Sequence, residues 1–164
     1  MNRVKIKLLS QFDWPLWKKI RLEALEKNPE AFGSSFEEES LSSDSDWESS
    51  LINSNIFGAF SQEILIGTAG FFTYAQYKQK HKGVLFGVYV LPEFRNKKIA
   101  DQLILAVLEH AKNKVLQVHC TVVTQNPIAI RLYERHGFMS YGVEPRALKI
   151  GDGFVDEILM IKKF

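Results

Sequence analysis

The stretch from Leu85 to Lys112, LFGVYVLPEFRNKKIADQLILAVLEHAK, constrains the fold more than any other part of the chain. It reads as an apolar strand, a short basic turn and a long amphipathic helix. Alternation puts Phe86, Val88 and Val90 on one face of the strand and Leu85 and Tyr89 on the other. Both faces are apolar, which predicts a central strand covered on both sides. Gly87 has no side chain to pack and predicts a bulge or a close backbone approach. Pro92 ends the strand because it has no amide to give to a ladder. Beyond the turn, Leu103, Val107, His110 and Ala111 recur at helical spacing. A strand that feeds a helix through a basic loop brings unpaired helix amides and the positive dipole end to one point. That is an anion-binding arrangement.

A strand covered on both faces needs enough chain to cover it. The 164 residues make one domain, of a size that buries roughly 68–70% of its unfolded surface. With 46% hydrophobic and 24% charged residues the composition is that of an ordinary globular protein. A net charge of +2 is too small for a nucleic-acid-binding surface. No stretch approaches the roughly 20 apolar residues of a membrane span. The single cysteine, Cys120, excludes an intramolecular disulfide and fits a reducing compartment. The start, MNRVKIKLLSQFDW, has no apolar run of signal-peptide length, so a cytoplasmic location is expected. His81, His110, His119 and His136 have no partners at ligand spacing, and His119 and Cys120 point to opposite faces of their strand, so no metal is expected. No Walker loop, dinucleotide fingerprint or nucleophile elbow is present.

In chain order, Val4, Ile6 and Leu8 share one face of a first, half-buried strand. Asp13 is placed to cap a helix that has Pro15 in its first turn, carries Trp17, Ile20, Ala24 and Leu25 inward, and stops at Asn28-Pro29. In the acidic segment that follows, Ser45 and Glu48 have capping-box spacing and predict a short helix bearing Trp47 and Leu51. Residues 56–60 and 64–74 read as a hairpin around Ser61-Gln62-Glu63. Residues 77–82 form a basic connection into the central strand. After the long helix, Leu116, Val118, Cys120 and Val122 share a face of a strand over residues 115–122. Asn126-Pro127 starts a helix that runs to Arg135 and ends at Gly137. Residues 147–150 and 154–161 form a hairpin around Gly151-Asp152-Gly153. The order βααβββαβαββ predicts an α/β domain with a mixed sheet.

Two motifs in this order carry a family resemblance. Arg95-Asn96-Lys97-Lys98-Ile99-Ala100, preceded by VYVLPEFR, resembles the R/Q-x-x-G-x-G/A pyrophosphate loop of the GNAT acetyltransferases; Arg95 and Ala100 match, and Lys98 stands where the first glycine falls. NPIAIRLYERHGFMSY is similar to the family's N-x-x-A-x-x-L-Y-x-x-x-G-F run, with Asn126, Ala129, Leu132, Tyr133, Gly137 and Phe138 matching. The likeness continues through YGVEPRALKIGDGFVDEILM and so covers most of the chain.

The resemblance implies a single GNAT domain over residues 1–164: a mixed, mostly antiparallel central sheet flanked by helices, with splayed central strands forming an acetyl-CoA cleft. It implies that backbone groups of Val88 and Val90 pair with pantetheine, that amides of Asn96, Lys97, Lys98, Ile99 and Ala100 and the side chain of Arg95 hold the pyrophosphate, and that Asn126 hydrogen-bonds the pantetheine arm. A helix cap before Pro127 is the plainer role for Asn126, and the two are compatible. Tyr133 becomes the general acid that returns a proton to the departing thiolate. A phenol of pKa about 10 can protonate a thiolate whose conjugate acid lies near 8.5. Its plainer role is packing beside Ala129 and Ile130. The base is not legible. Glu37, Glu38 and Glu39 lie where the family's acceptor pocket is bordered, and Glu144, Asp156 and Glu157 are weaker candidates. The expected reaction is acetyl transfer from acetyl-CoA to a primary amine by direct attack, without metal. The acceptor could be a polyamine, an aminoglycoside, an amino acid or a protein N-terminus; no nucleic-acid or membrane partner is expected, and a homodimer is compatible with the family. The alternative is a non-catalytic acetyl-CoA-binding or regulatory module of the same fold. Lys98 bears on that choice. A left-handed backbone there costs a lysine on the order of 1–2 kcal/mol, whereas a need only for space lets its ammonium turn to the phosphate.

Overall fold

The computed structural model describes residues 3–164. Seven strands form one sheet in the order β1-β2-β3-β4-β5-β7-β6. They are β1 (Val4–Leu8), β2 (Asn55–Ser61), β3 (Ile64–Thr73), β4 (Lys82–Val90), β5 (Gln117–Val123), β6 (Met139–Ile150) and β7 (Gly153–Lys163). The helices are α1 (Trp14–Lys27), the four-residue α2 (Phe36–Glu39), α3 (Asp44–Asn53), α4 (Ile99–Ala111) and α5 (Pro127–Arg135). All neighbouring pairs are antiparallel except β4 with β5, which α4 connects as a parallel crossover.

Two cores cover the sheet. On one face, Leu103, Ile104, Val107 and Ala111 of α4 are completely buried against Phe57, Ile66, Phe71, Leu85, Val118 and Met160. On the other, α1 and α3 bring Trp17, Ile20, Trp47 and Leu51 against Ile56, Phe60, Leu65 and Tyr89. The edge between Trp17 and Trp47 has its rings 5.2 Å apart and T-shaped, a geometry that aromatic quadrupoles favour.

Gly87 is a bulge, as its lack of a side chain predicts. Its φ is +62°, and the register with β3 jumps there, from Thr68↔Tyr89 to Gly70↔Phe86. The extra residue reverses the alternation before it. Leu85 therefore joins Val88 and Val90 on the α4 face, while Phe86 joins Tyr89 on the α1 face. Simple alternation, which grouped Phe86 with Val88 and Leu85 with Tyr89, is corrected at this one residue.

Other differences are local. Asp13 precedes α1 but accepts from the Ser10 amide at 2.8 Å, tying the 3-10 turn Gln11–Asp13 rather than capping the helix. Helix α3 starts two residues earlier than the Ser45–Glu48 spacing indicates. Ser43 accepts from the Asp46 amide at 3.1 Å and Asp46 from the Ser43 amide at 2.9 Å. Aspartate closes the same reciprocal box as glutamate. Leu116 lies just outside β5 and is exposed. Strand β6 begins eight residues before its predicted start, because Met139, Ser140, Tyr141, Val143 and Glu144 are all exposed on an edge strand and carry no inward alternation.

Candidate active site

The parallel pairing of β4 with β5 lasts for three residues, Lys82–Val84 with Gln117–His119. Beyond Val84 the strands part. β5 instead pairs along its whole length with β7, from Gln117↔Lys163 to Val123↔Glu157. The far half of β4 thus has one ladder, to β3, and one open edge. The Leu91 amide donates to Ile66 O at 2.9 Å, so by two-residue alternation the backbone groups of Val90 and Val88 face the open edge. Val90 O already accepts from Arg95 Nε at 3.0 Å.

The loop after β4 ends in two left-handed residues, Asn96 (φ +61°) and Lys98 (φ +58°), on either side of Lys97. Asparagine tolerates this conformation; lysine does not gain from it. The glycine of the loop pattern is thus matched to a backbone requirement, and Lys98 meets it with a side chain that is exposed and in no ion pair among the described residues. The first helical bond of α4 runs from the Gln102 amide to Lys98 O at 3.2 Å. Ahead of it the amides of Ile99, Ala100 and Asp101 have no helical partner, and the positive end of the helix dipole lies among them. The Arg95 guanidinium stacks 5.5 Å from the Tyr89 ring centroid.

Asp101 would oppose an anion at this point, but it is neutralised. Arg135 Nη2 donates to its carboxylate at 3.1 Å and His136 Nε2 lies 2.9 Å away. Burial alone would raise its pKa; hydrogen bonds from His136 and Arg135 and the Arg135 charge outweigh that and hold the carboxyl below the usual range. These contacts also tie the end of α5 to the start of α4. No local pattern of residues signals this trio, which joins positions 34 and 35 residues apart.

Asn126 caps α5, accepting from the Ala129 amide through Oδ1 at 3.1 Å. Its side-chain NH2 makes no hydrogen bond among the described residues. Tyr133 is half-buried, its ring 5.8 Å from Phe138 and edge-on. Burial pushes its phenol pKa up, and the neighbouring Cys120 adds to the shift. Burial likewise raises the Cys120 thiol to about 12, so Cys120 is no thiolate nucleophile at neutral pH.

On the α1 side, Glu37 and Glu38 are exposed. Glu39 is engaged by Arg21 through Nε and Nη2, both at 3.0 Å. Asp156 accepts from the Arg146 amide at 2.8 Å, and Glu144 faces Glu157 across β6 and β7. Glu39, joined through Arg21 to Gly87, is therefore not a free base. The Gly33 backbone lies against Leu148 of β6. Here a cavity of about 450 Å³ is lined by Leu25, Glu26, Phe32, Phe36, Glu37 and Lys149, among others. A hollow of about 490 Å³ lies along α4 between Lys112 and Lys162 on one side and Arg135 and His136 on the other. Among the described residues no three His, Cys, Asp or Glu side chains converge as metal ligands.

The model of the Acetyltransferase (GNAT) family matches residues 17–138. No curated protein matches the chain. Among solved structures, a GNAT-family acetyltransferase from Streptococcus pneumoniae superposes with a TM-score of 0.87 at 22% identity, covering 99% of this chain and 100% of that one. The ribosomal-protein-alanine N-acetyltransferase of Brucella melitensis gives 0.85 at 22% identity, covering 98% and 99%. A putative acetyltransferase from Salmonella typhimurium, solved with its cofactor acetyl-CoA, gives 0.81 at 16% identity, covering 98% and 94%. With a family match over residues 17–138 and the GNAT fold throughout, the chain belongs to the GNAT acetyltransferase family.

Proposed function

We propose that the protein transfers an acetyl group from acetyl-CoA to a primary amine. One observation carries this reading: the open edge of β4 runs directly into the unpaired amides of α4. Pyrophosphate at residues 96–100 and pantetheine along Val90 and Val88, with the Asn126 amide beside it, bring the thioester to Gly87. The amine nitrogen attacks the thioester carbon, the carbon–sulfur bond breaks, and the departing thiolate takes the Tyr133 proton; the nitrogen sheds its surplus proton to solvent, from which Tyr133 is reprotonated. Burial raises the Tyr133 phenol above its ordinary pKa, which keeps it protonated but makes it a weaker acid. Direct attack fits the absence of a free thiolate. With Glu39 held by Arg21, the amine enters as free base from solvent, and the rate rises with pH until the acceptor's own ammonium has titrated.

The rival is a binding module without turnover, favoured by the strained Lys98 and the missing base. Acetyl-CoA-dependent thiol release, measured in EDTA with polyamines, aminoglycosides, amino acids and a peptide bearing a free N-terminus, separates the two. Release with any of these classes supports transfer. Acetyl-CoA binding by calorimetry with no release from any class establishes the module, and no binding at millimolar coenzyme defeats both.

A further inference from the structure

We propose that Arg21 selects the acceptor, and that the acceptor is a small amine with a carboxylate close to its nitrogen, of the α-amino-acid kind. The inference rests on the acetyl-transfer reading and names its substrate class. Arg21 projects from α1 to the bulge of β4 with a side chain only 11% exposed. Two of its nitrogens, Nε and Nη2, are spent on the Glu39 carboxylate, and the guanidinium lies 5.4 Å from the Phe32 ring centroid. Nη1 is left over. It sits 3.2 Å from the point where a Cβ on Gly87 would be, and it makes no hydrogen bond among the described residues. Coenzyme running from the α4 amides along Val90 and Val88 delivers its thioester to Gly87, so Nη1 flanks the carbon that the amine must reach.

A guanidinium held on one side by a carboxylate and stacked on a ring cannot swing away. Its remaining N–H groups form a fixed, oriented donor that an acceptor oxygen satisfies best when that oxygen is charged. The Arg21–Glu39 pair has no net charge. It offers little to a polycation, and it complements an amino acid whose carboxylate meets Nη1 while its nitrogen, as the free base, is left to reach the thioester. A peptide N-terminus has no carboxylate at that distance.

The test compares α-amino acids with their methyl esters as acceptors, at fixed acetyl-CoA, in the native protein and in Arg21→Lys. Lysine keeps the charge but cannot hold Glu39 and a second carboxylate in one plane. In the native protein kcat/KM for the acids should exceed that for the esters by at least tenfold, mainly through KM. In Arg21→Lys that ratio should fall at least tenfold, with the melting temperature recorded alongside. Turnover of acids and esters at equal efficiency overturns the inference and leaves acetyl transfer standing. An equal fall in kcat for every amine in Arg21→Lys also overturns it, since it assigns Nη1 to the thioester oxygen. If no amine of any kind is acetylated, both readings fall. Should Arg21→Lys not fold, the acid-to-ester ratio in the native protein decides alone.

Discussion

The two sides of the candidate site are made of different material. The proposed coenzyme side is backbone: the open edge of β4, the left-handed turn at Asn96 and Lys98, and the amides that open α4. The proposed acceptor side is side chain: Arg21, Glu39 and Phe32, brought from α1, α2 and the loop between them. Backbone amides are supplied by every residue type but proline, so the first side tolerates substitutions such as lysine for glycine. A guanidinium that touches three groups tolerates almost none. One side can therefore be shared across a family while the other distinguishes its members.

The largest expected effect is at Tyr133, the proposed proton donor. Tyr133→Phe should lower kcat by roughly 10²–10⁴ with coenzyme affinity nearly intact, the range for a lost general acid. Single-turnover kinetics that show no change in the chemical step would reduce Tyr133 to its packing against Phe138. Gly87→Ala probes the one residue both sides share. A methyl group at φ +62° costs on the order of 1–2 kcal/mol, and it would meet Arg21 Nη1 at 3.2 Å. Chemical denaturation should report the loss of stability. If instead the variant is as stable as the native protein, the bulge does not require the left-handed conformation at residue 87.

Smaller effects are expected at Lys98, and they measure how far the coenzyme side depends on backbone alone. Lys98→Gly relieves the left-handed strain and should stabilise the fold by about 1 kcal/mol, with the acetyl-CoA dissociation constant changed by less than about tenfold. Lys98→Glu should weaken binding at low salt and less so at high salt, because it acts through an exposed charge. Tenfold tighter binding in Lys98→Gly would mark the lysine as a handicap and favour the non-catalytic module.

The smallest effect is a control outside both sides. His110 lies edge-on to Phe57 and Phe71, at 5.5 and 5.9 Å, with Nε2 buried and unpartnered. Burial, and then Lys114, lower its pKa below the ordinary 6.5. A group depressed in this way binds its proton more readily when unfolded. Its contribution is complete above about 6.5 and declines as pH falls from there toward the folded-state pKa. His119 shifts in the same direction, through burial, Lys82 and His81. Denaturation of the native protein and of His110→Phe between pH 7.5 and about 5 should show a shallower decline in the variant. Parallel curves would remove His110 from the acid sensitivity.

Most of the framework was legible in residue order. The bulge at Gly87, the cap at Asn126, the glycine end of α5 and the basic strand-to-helix loop each depend on a few neighbours, and local propensity reports them. What escaped depended on neighbours far along the chain or on none. The exposed start of β6 has no inward face to betray it, and its pairing comes from β7. The two-face assignment of β4 failed because one extra residue turns every side chain beyond it, and only the partner strand shows that Gly87 is such an insertion rather than a close backbone approach. The glutamates at 37–39 were indistinguishable as a charge run until Arg21, 18 residues earlier in the chain than Glu39, claimed one of them.

By itself, then, the amino-acid order determined the α/β class, the strand-to-helix turn after β4 and the family, since these are written in periodicities and motifs of short range. The tertiary structure decided that β4 and β5 part after Val84, that Lys98 must adopt the left-handed backbone, that Asp101 is neutralised from α5, and that Arg21 meets the Gly87 bulge. Each of these is a distance between groups whose separation in space is fixed by packing in the two cores, a quantity that no local pattern of residues contains.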